Sequence, residues 1–112
     1  MGTKKDLDSI ASEIKEKVGR VDILVHNAGC MNNEYKENAD GIESNYATNV
    51  LGVYYLTKKI IPYLHEKSRI IIVSSGGMLS QPLVNDDIYM KQDFDGTTQY
   101  ARNKRMQVIL AE

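Results

Sequence analysis

"VDILVHNAG", residues 21–29, decides the fold. Val21 to Asn27 is a short β-branched run flanked by Gly19 and Gly29, the pattern of a buried parallel strand. The same signature returns in "RIIIVSS", residues 69–75. Between the two runs, from about Asp40 to Glu66, Ile42, Tyr46, Asn49, Val50, Val53, Thr57, Ile60 and Leu64 recur along one side of a long helix. Pro62 is placed to kink or loosen its last turns. Two parallel strands joined by a right-handed helical crossover are the unit of an open α/β sheet, which binds ligands at the carboxyl ends of its strands. Those ends are "HNAG" and "VSSGG".

Outward from this unit, Leu7, Ile10, Ile14 and Val18 recur at helical spacing and predict an amphipathic helix over residues 7–18, with Asp6 or Asp8 as N-cap and Gly19 as C-cap. Beyond the second run, "SGGMLSQPLVNDDIYMKQDFDGTT" passes through Gly, Pro, Asn and Asp as a long loop, and a loop of that length in a compact domain is usually functional or a lid. The closing segment, Thr98 to Glu112, carries Tyr100, Ala101, Lys104, Val108 and Ala111 on a helical period, with Asp95 or Thr97 as cap. The order is helix, strand, helix, strand, helix.

The 112 residues are 42% hydrophobic and 26% charged, the composition of one soluble globular domain. A net charge of −1 with both signs interspersed gives no footprint for nucleic acid or an acidic membrane. The single cysteine, Cys30, has no internal disulfide partner, and His26 and His65 are isolated, so no metal-ligand spacing appears. A reducing, intracellular, cytoplasmic setting is the expectation. The start "MGTKKDLD" lacks an apolar signal core, and no apolar run approaches the roughly 18–20 residues of a membrane span.

Tyr100 and Lys104 stand four places apart, which stacks both side chains on one helix face. The spacing alone decides nothing, because Tyr54 with Lys58, Tyr55 with Lys59 and Tyr63 with Lys67 repeat it. Placement separates them: Tyr100 begins a helix beside a strand-end serine, whereas the other three lie late in the crossover helix, which runs away from the carboxyl edge.

"VDILVHNAG", "NYATNVLGVYYLT", "IIIVSSGG" and "YARNK", in this order, resemble consecutive signature segments of the short-chain dehydrogenase/reductase family over about residues 20–110. "NAGCM", "VSSGGML" and "FDGTTQYARNKRMQ" resemble most nearly the branch called dehydrogenase/reductase family member twelve. The resemblance implies a partial Rossmann-type domain, a doubly wound parallel α/β sheet, and an NAD- or NADP-dependent hydride transfer to or from a small carbonyl or alcohol substrate. Tyr100 would exchange a proton with the substrate oxygen. A phenol is a poor base near neutral pH unless a cation favours its phenolate form, the part given to Lys104, whose donors would also reach the nicotinamide ribose. Ser75 would donate to the substrate oxygen where negative charge collects. Asn49 would hold a water relaying protons to Lys104. Gly29 would let the backbone approach the cofactor, with Asn27 and Ala28 lining its adenosine side. Taken singly, Asn49 could equally be a satisfied polar residue, Ser75 a strand-end cap and Gly29 a turn former. His26 stands where the family more often has a further Asn and reads as a tolerated variant. The long interval from Ser75 to Tyr100 implies a substrate-side insertion in "LSQPLVNDDIYMKQDFDG".

The family's phosphate-binding turn is not in this sequence: glycines fall at 2, 19, 29, 41, 52, 76, 77 and 96, and no subset gives GxxxGxG or GxGxxG. Residues 1–112 therefore read as the central catalytic segment of one family domain, incomplete at both ends, and on their own are expected to bind NAD(P) weakly or not at all. Three readings stay open. One is an oxidoreductase in full-length form; another is a shortened, inactive relative acting as an interaction module, pairing through the long helices that family members often use for homo-oligomer contacts; the third, and the remotest, is a bare α/β module with no catalytic past.

Overall fold

The structure is a computed structural model that describes residues 2–84 and 86–111. The two apolar runs form a parallel pair, β1 (Ile23–His26) and β2 (Arg69–Ile72), with Ile23 opposite Arg69 and His26 opposite Ile72. The ladder is shorter than the expected 21–27 and 69–75, yet single bonds extend it at each end. The Arg69 amide donates to the Asp22 carbonyl at 2.9 Å and the Val73 amide to the His26 carbonyl at 3.1 Å.

The first helix, α1 (Lys4–Lys17), starts earlier than its apolar period implies, because Thr3 and not Asp6 or Asp8 is the cap: its hydroxyl accepts from the Asp6 amide at 3.2 Å. Asp6 then lies in the first turn, on the positive end of the helix dipole. The helix stops where expected. The Val18 and Gly19 amides both reach the Ile14 carbonyl, and Gly19 takes a φ of +73°.

The crossover helix, α2, spans residues 44–60 rather than 40–66. Its start is delayed because the Asn38 side chain accepts from the amides of Asp40 and Ile42, at 2.9 and 3.1 Å, and so holds these residues in a turn instead of a helix. One turn, Ala47–Leu51, is a π-turn closed by the Gly52 amide on the Ala47 carbonyl. The helix ends at Ile60 and tightens into a 3₁₀ turn, Ile61–Tyr63, around Pro62, as the sequence predicts. The apolar core lies between α1 and the last half of α2: Leu7, Ala11, Leu56 and Ile60 are buried, with Ile10, Ile14, Val21, Leu24 and Leu64 among the residues packed around them. Side chains of this kind stabilise a fold by roughly 1.5–3 kcal/mol each when fully buried.

The last helix, α3 (Gly96–Ala111), begins before Thr98, and Asp95 rather than Thr97 sits at its head. The Thr98 hydroxyl donates to the Asp95 carboxylate, which holds that carboxyl below its usual range. The connection from β2 to α3 contains one 3₁₀ turn, Gly76–Ser80, and is pinned by Tyr89 against Tyr46 and by Phe94 edge-on to Tyr35. Asn85 in this connection and Glu112, the expected end of α3, lie outside the described residues. Among the described residues no helix is long and apolar enough to cross a membrane.

Candidate functional site

The face that α3 buries is polar. The expected stripe was Tyr100, Ala101, Lys104, Val108 and Ala111; the buried side chains are instead Gln99, Ala101, Asn103, Lys104, Met106 and Gln107, with Ala111 exposed. The partner surface explains it, for the first turns of α2 present Glu43, Asn45 and Asn49, all fully buried, and buried polar groups need polar partners. Glu43 caps α2, accepting from the Asn45 and Tyr46 amides at 2.6 and 3.1 Å, and takes a further bond from the Gln99 amide nitrogen at 3.0 Å. Gln99 also donates to the Ile88 carbonyl at 3.0 Å, tying the long connection to the same point. The Gln107 amide reaches the Asn49 carbonyl at 2.7 Å.

Asn49 grips the loop that follows β1. Its Oδ1 accepts from the Cys30 amide at 3.0 Å, and its Nδ2 donates to the Cys30 carbonyl at 2.8 Å. Gly29 lies between this amide and the last helix. A Cβ there would stand 3.2 Å from Asn49 Oδ1 and 4.0 Å from Lys104 Nζ, so the backbone passes where a side chain would crowd the asparagine.

Lys104 is 4% exposed, and its ammonium donates to the Val73 carbonyl, one residue beyond β2, at 3.0 Å. The same nitrogen is 5.5 Å from the centre of the Tyr100 ring. Around it lies a cleft of about 430 Å³ lined by Asn27, Gly29, Cys30, Met31, Val73, Ser74, Tyr100 and Lys104. The structure thus brings Asn27, Gly29, Tyr100 and Lys104 to one cavity at the carboxyl ends of both strands, with Asn49 behind the cavity wall. Ala28, between Asn27 and Gly29, is not among the lining residues. At the other strand end Ser74 lines the cleft, while the Ser75 hydroxyl accepts from the Gly77 amide at 3.2 Å and caps the 3₁₀ turn.

Ring-to-ammonium geometry does not single out Tyr100. Lys58 lies 5.3 Å from the Tyr54 ring centre and Lys59 5.5 Å from that of Tyr55. Surroundings do. The Tyr55 hydroxyl donates to Asp8 at 2.7 Å, and this bond to a carboxylate pushes its pKa up, against any use as a base. Tyr63 closes the 3₁₀ turn, so it and Lys67 share no helix. Burial likewise pushes the Cys30 thiol up, keeping it protonated. His26 is buried with its Nε2 at 2.7 Å from the Thr57 hydroxyl, away from the cleft, in keeping with a structural variant. Among the described residues no group of three or more His, Cys, Asp or Glu side chains could hold a metal.

Periodicity missed Glu43, Asn45, Gln99, Asn103 and Gln107. The available signal was polar: Asn45 with Asn49, and Gln99, Asn103 and Gln107, repeat at four-residue spacing on facing helices.

A family profile described as short chain dehydrogenase matches residues 1–89, a stretch that includes Asn49 and Ser75 and stops short of Tyr100. Dehydrogenase/reductase SDR family member 12 of Bos taurus is 52% identical over 95 residues, covering 82% of this chain and 30% of the relative. The human protein of the same name is 49% identical over 96 residues, covering 83% and 30%. This chain therefore spans about 30% of the length of these relatives. Among solved structures, an uncharacterised protein from Mycobacterium paratuberculosis superposes with a TM-score of 0.75 at 30% identity, over 89% of this chain and 37% of that one. Landomycin C-6 ketoreductase LanV, solved with bound NADP and rabelomycin, shares the fold at a TM-score of 0.67 and 22% identity, over 99% of this chain and 44% of that one.

Proposed function

The chain belongs to the short-chain dehydrogenase/reductase family, and on that premise we propose that residues 1–112 are the catalytic middle of an NAD(P)-dependent oxidoreductase acting on a small carbonyl or alcohol. The observation that carries this reading is the single cleft at the carboxyl edge, where a buried ammonium, a phenol ring and a close backbone approach at Gly29 meet.

The nicotinamide group supplies or accepts the hydride when bound. The residues present fit its nicotinamide and ribose end: Gly29 leaves the cleft wall without a side chain, and Lys104 has two further donors beyond the one given to Val73. Tyr100 gives or takes the proton on the substrate oxygen, with the ammonium of Lys104 held 5.5 Å from its ring centre. Asn49 holds the Cys30 backbone and, through it, the wall of the cleft. Ser75 serves the substrate oxygen once its hydroxyl, an acceptor from Gly77 here, uses its own proton as donor. Asn27 and Ala28 lie on the adenosine side. The connection over residues 79–96 selects the substrate. An unpaired Cys30 suits a reducing, cytoplasmic setting. The long helices offer the surfaces for a homo-oligomer.

The test is Tyr100→Phe in the full-length protein. Loss of a proton-transfer group lowers kcat by about 10²–10⁴-fold, with NADH or NADPH binding by fluorescence titration largely kept. Near-normal turnover in Tyr100→Phe together with an inactive Tyr63→Phe would show that the wrong tyrosine carries the chemistry.

A further inference from the structure

The two walls of the cleft come from separate parts of the chain, the loop after β1 and helix α3, and two residues outside the cleft, Asn45 and Asn49, touch both. Asn45 lies one turn before Asn49 and repeats its grip two residues farther along the loop. Its Oδ1 accepts from the Asn32 amide at 2.8 Å and its Nδ2 donates to the Asn32 carbonyl at 3.1 Å. The same Oδ1 takes the Cys30 thiol at 3.4 Å. Asn45 and Asn49 therefore act as two rungs of a ladder. Side-chain amides spaced by a helical turn pair with alternate backbone units of an extended segment, as a neighbouring strand would.

On the other side, the main-chain carbonyl of Asn45 accepts from the Asn103 amide at 3.3 Å, and that of Gln99 at 3.2 Å, once that amide is oriented with its nitrogen toward them, in place of the 3.3 Å bond its oxygen otherwise takes from Asn49 Nδ2. Asn103 precedes Lys104. The start of α3 also rests on the loop at the residue Asn45 holds. A Cβ on Gly96 would run into the Asn32 carbonyl and come within 2.8 Å of the Asn33 Cα, so only glycine fits there. Tyr100 follows one turn later. Asn45 is fully buried and lines no part of the cleft.

The geometry points to Asn45 as a positioning residue that sets the spacing between the loop wall (Gly29, Cys30, Met31) and the helix wall (Tyr100, Lys104). This inference rests on the oxidoreductase reading above. Truncating Asn45 frees the Asn32 backbone and the far rung of the ladder, and the loop wall relaxes while Asn49 still holds Cys30. Misplacement of a binding wall appears first in affinity for what it binds, so cofactor KM moves more than kcat.

The experiment uses the full-length protein and four forms: wild type, Asn45→Ala, Asn103→Ala and Leu56→Ala. It reads hydrogen exchange of loop residues 29–33, KM for NADH and NADPH, kcat, and thermal melts. The expected result for Asn45→Ala is faster loop exchange with a rise in cofactor KM of about tenfold and a smaller fall in kcat. Asn103→Ala moves KM the same way by less. Leu56→Ala lowers the melting temperature and leaves KM alone. Unchanged loop exchange or unchanged KM in Asn45→Ala overturns the proposal, as does a KM that rises equally in Leu56→Ala at equal loss of stability. If Asn45→Ala does not fold, Asn103→Ala decides, and a wild-type KM in it overturns the proposal. A wild type that binds neither NADH nor NADPH removes the oxidoreductase reading and this inference together. A wild type that binds, matched by Asn45→Ala, removes this inference alone.

Discussion

The two halves of the crossover helix are packed by different physics. Its last turns bury Leu56 and Ile60 against Leu7 and Ala11 of α1; its first turns and their cap bury Glu43, Asn45 and Asn49 against Gln99, Asn103 and Gln107 of α3. Apolar burial is non-directional and scales with area, so the first contact supplies stability and tolerates small shifts. A buried amide has partners at fixed directions, so the second supplies placement, and a shift leaves donors unpaired. The cleft lies on the polar side. The fold thus rests on one half of α2 and the site is aimed by the other.

The largest expected effect breaks the apolar half. Leu56→Ala removes a buried side chain from the cluster and costs about 2–5 kcal/mol, depending on how far α1 closes the gap. Denaturant titration of the full-length protein measures it. The contrast requires that the folded fraction keep its turnover; a parallel fall in kcat would mean that the two halves are not separable.

Next comes the polar half. Asn49→Ala strands the Cys30 amide and carbonyl, at roughly 1–3 kcal/mol for a buried unpaired group. It should cost less stability than Leu56→Ala and far more activity, because the freed loop carries Gly29 and Cys30 on the cleft wall. Paired melts and steady-state kinetics on both variants give the comparison. Equal activity losses at unequal stability losses would contradict it.

The same division explains what the sequence made legible. β-branched runs predict strands because parallel strands are commonly apolar on both faces, and the strands form, but they are not buried as that pattern implies: Ile23, Val25, Ile70 and Ile71 are 44–57% exposed. Their carboxyl ends, with Asn27 and Gly29 at one and Ser74 and Ser75 at the other, follow from topology. Tyr100 and Lys104 arrive there because α3 must return over the sheet. Periodicity, however, records apolar residues. It finds the Leu56 side of α2 and passes over the Asn45 side, and on α3 it selects Val108 and Ala111 in place of Asn103 and Gln107. Local competition accounts for the misplaced boundaries. The Asn38 side chain takes amides that would have opened α2, and Thr3 outdoes Asp6 because its hydroxyl sits where the helix amides begin. The Ser75 hydroxyl shows the limit of motif reading: the position follows from the strand end, but its proton and lone pairs are divided among neighbours that no motif specifies.

The smallest expected effect concerns a polar ring set into the apolar half. His26 is buried, and its Nε2 lies 2.7 Å from the Thr57 hydroxyl. That hydroxyl gives its own proton to the Val53 carbonyl at 2.7 Å, so its oxygen accepts and His26 is the donor, which assigns the neutral ring its proton on Nε2. Burial disfavours the charged ring and holds its pKa below the ordinary 6.5. In the unfolded chain the same ring protonates near that ordinary value, so as pH falls below it the unfolded state takes up protons that the folded state refuses. Stability from His26 is therefore fully present above the unfolded value and is lost as pH falls from there through the lower folded value. Melts of wild type and His26→Asn at a series of pH values from neutral to mildly acidic isolate this, since His65 and every other titrating group are common to both. The gap between the two melting temperatures should shift in favour of His26→Asn on acidification, whatever its size at neutral pH. A gap independent of pH would mean that the ring takes up protons equally in the folded and unfolded states, so that burial beside Thr57 does not disfavour its charged form.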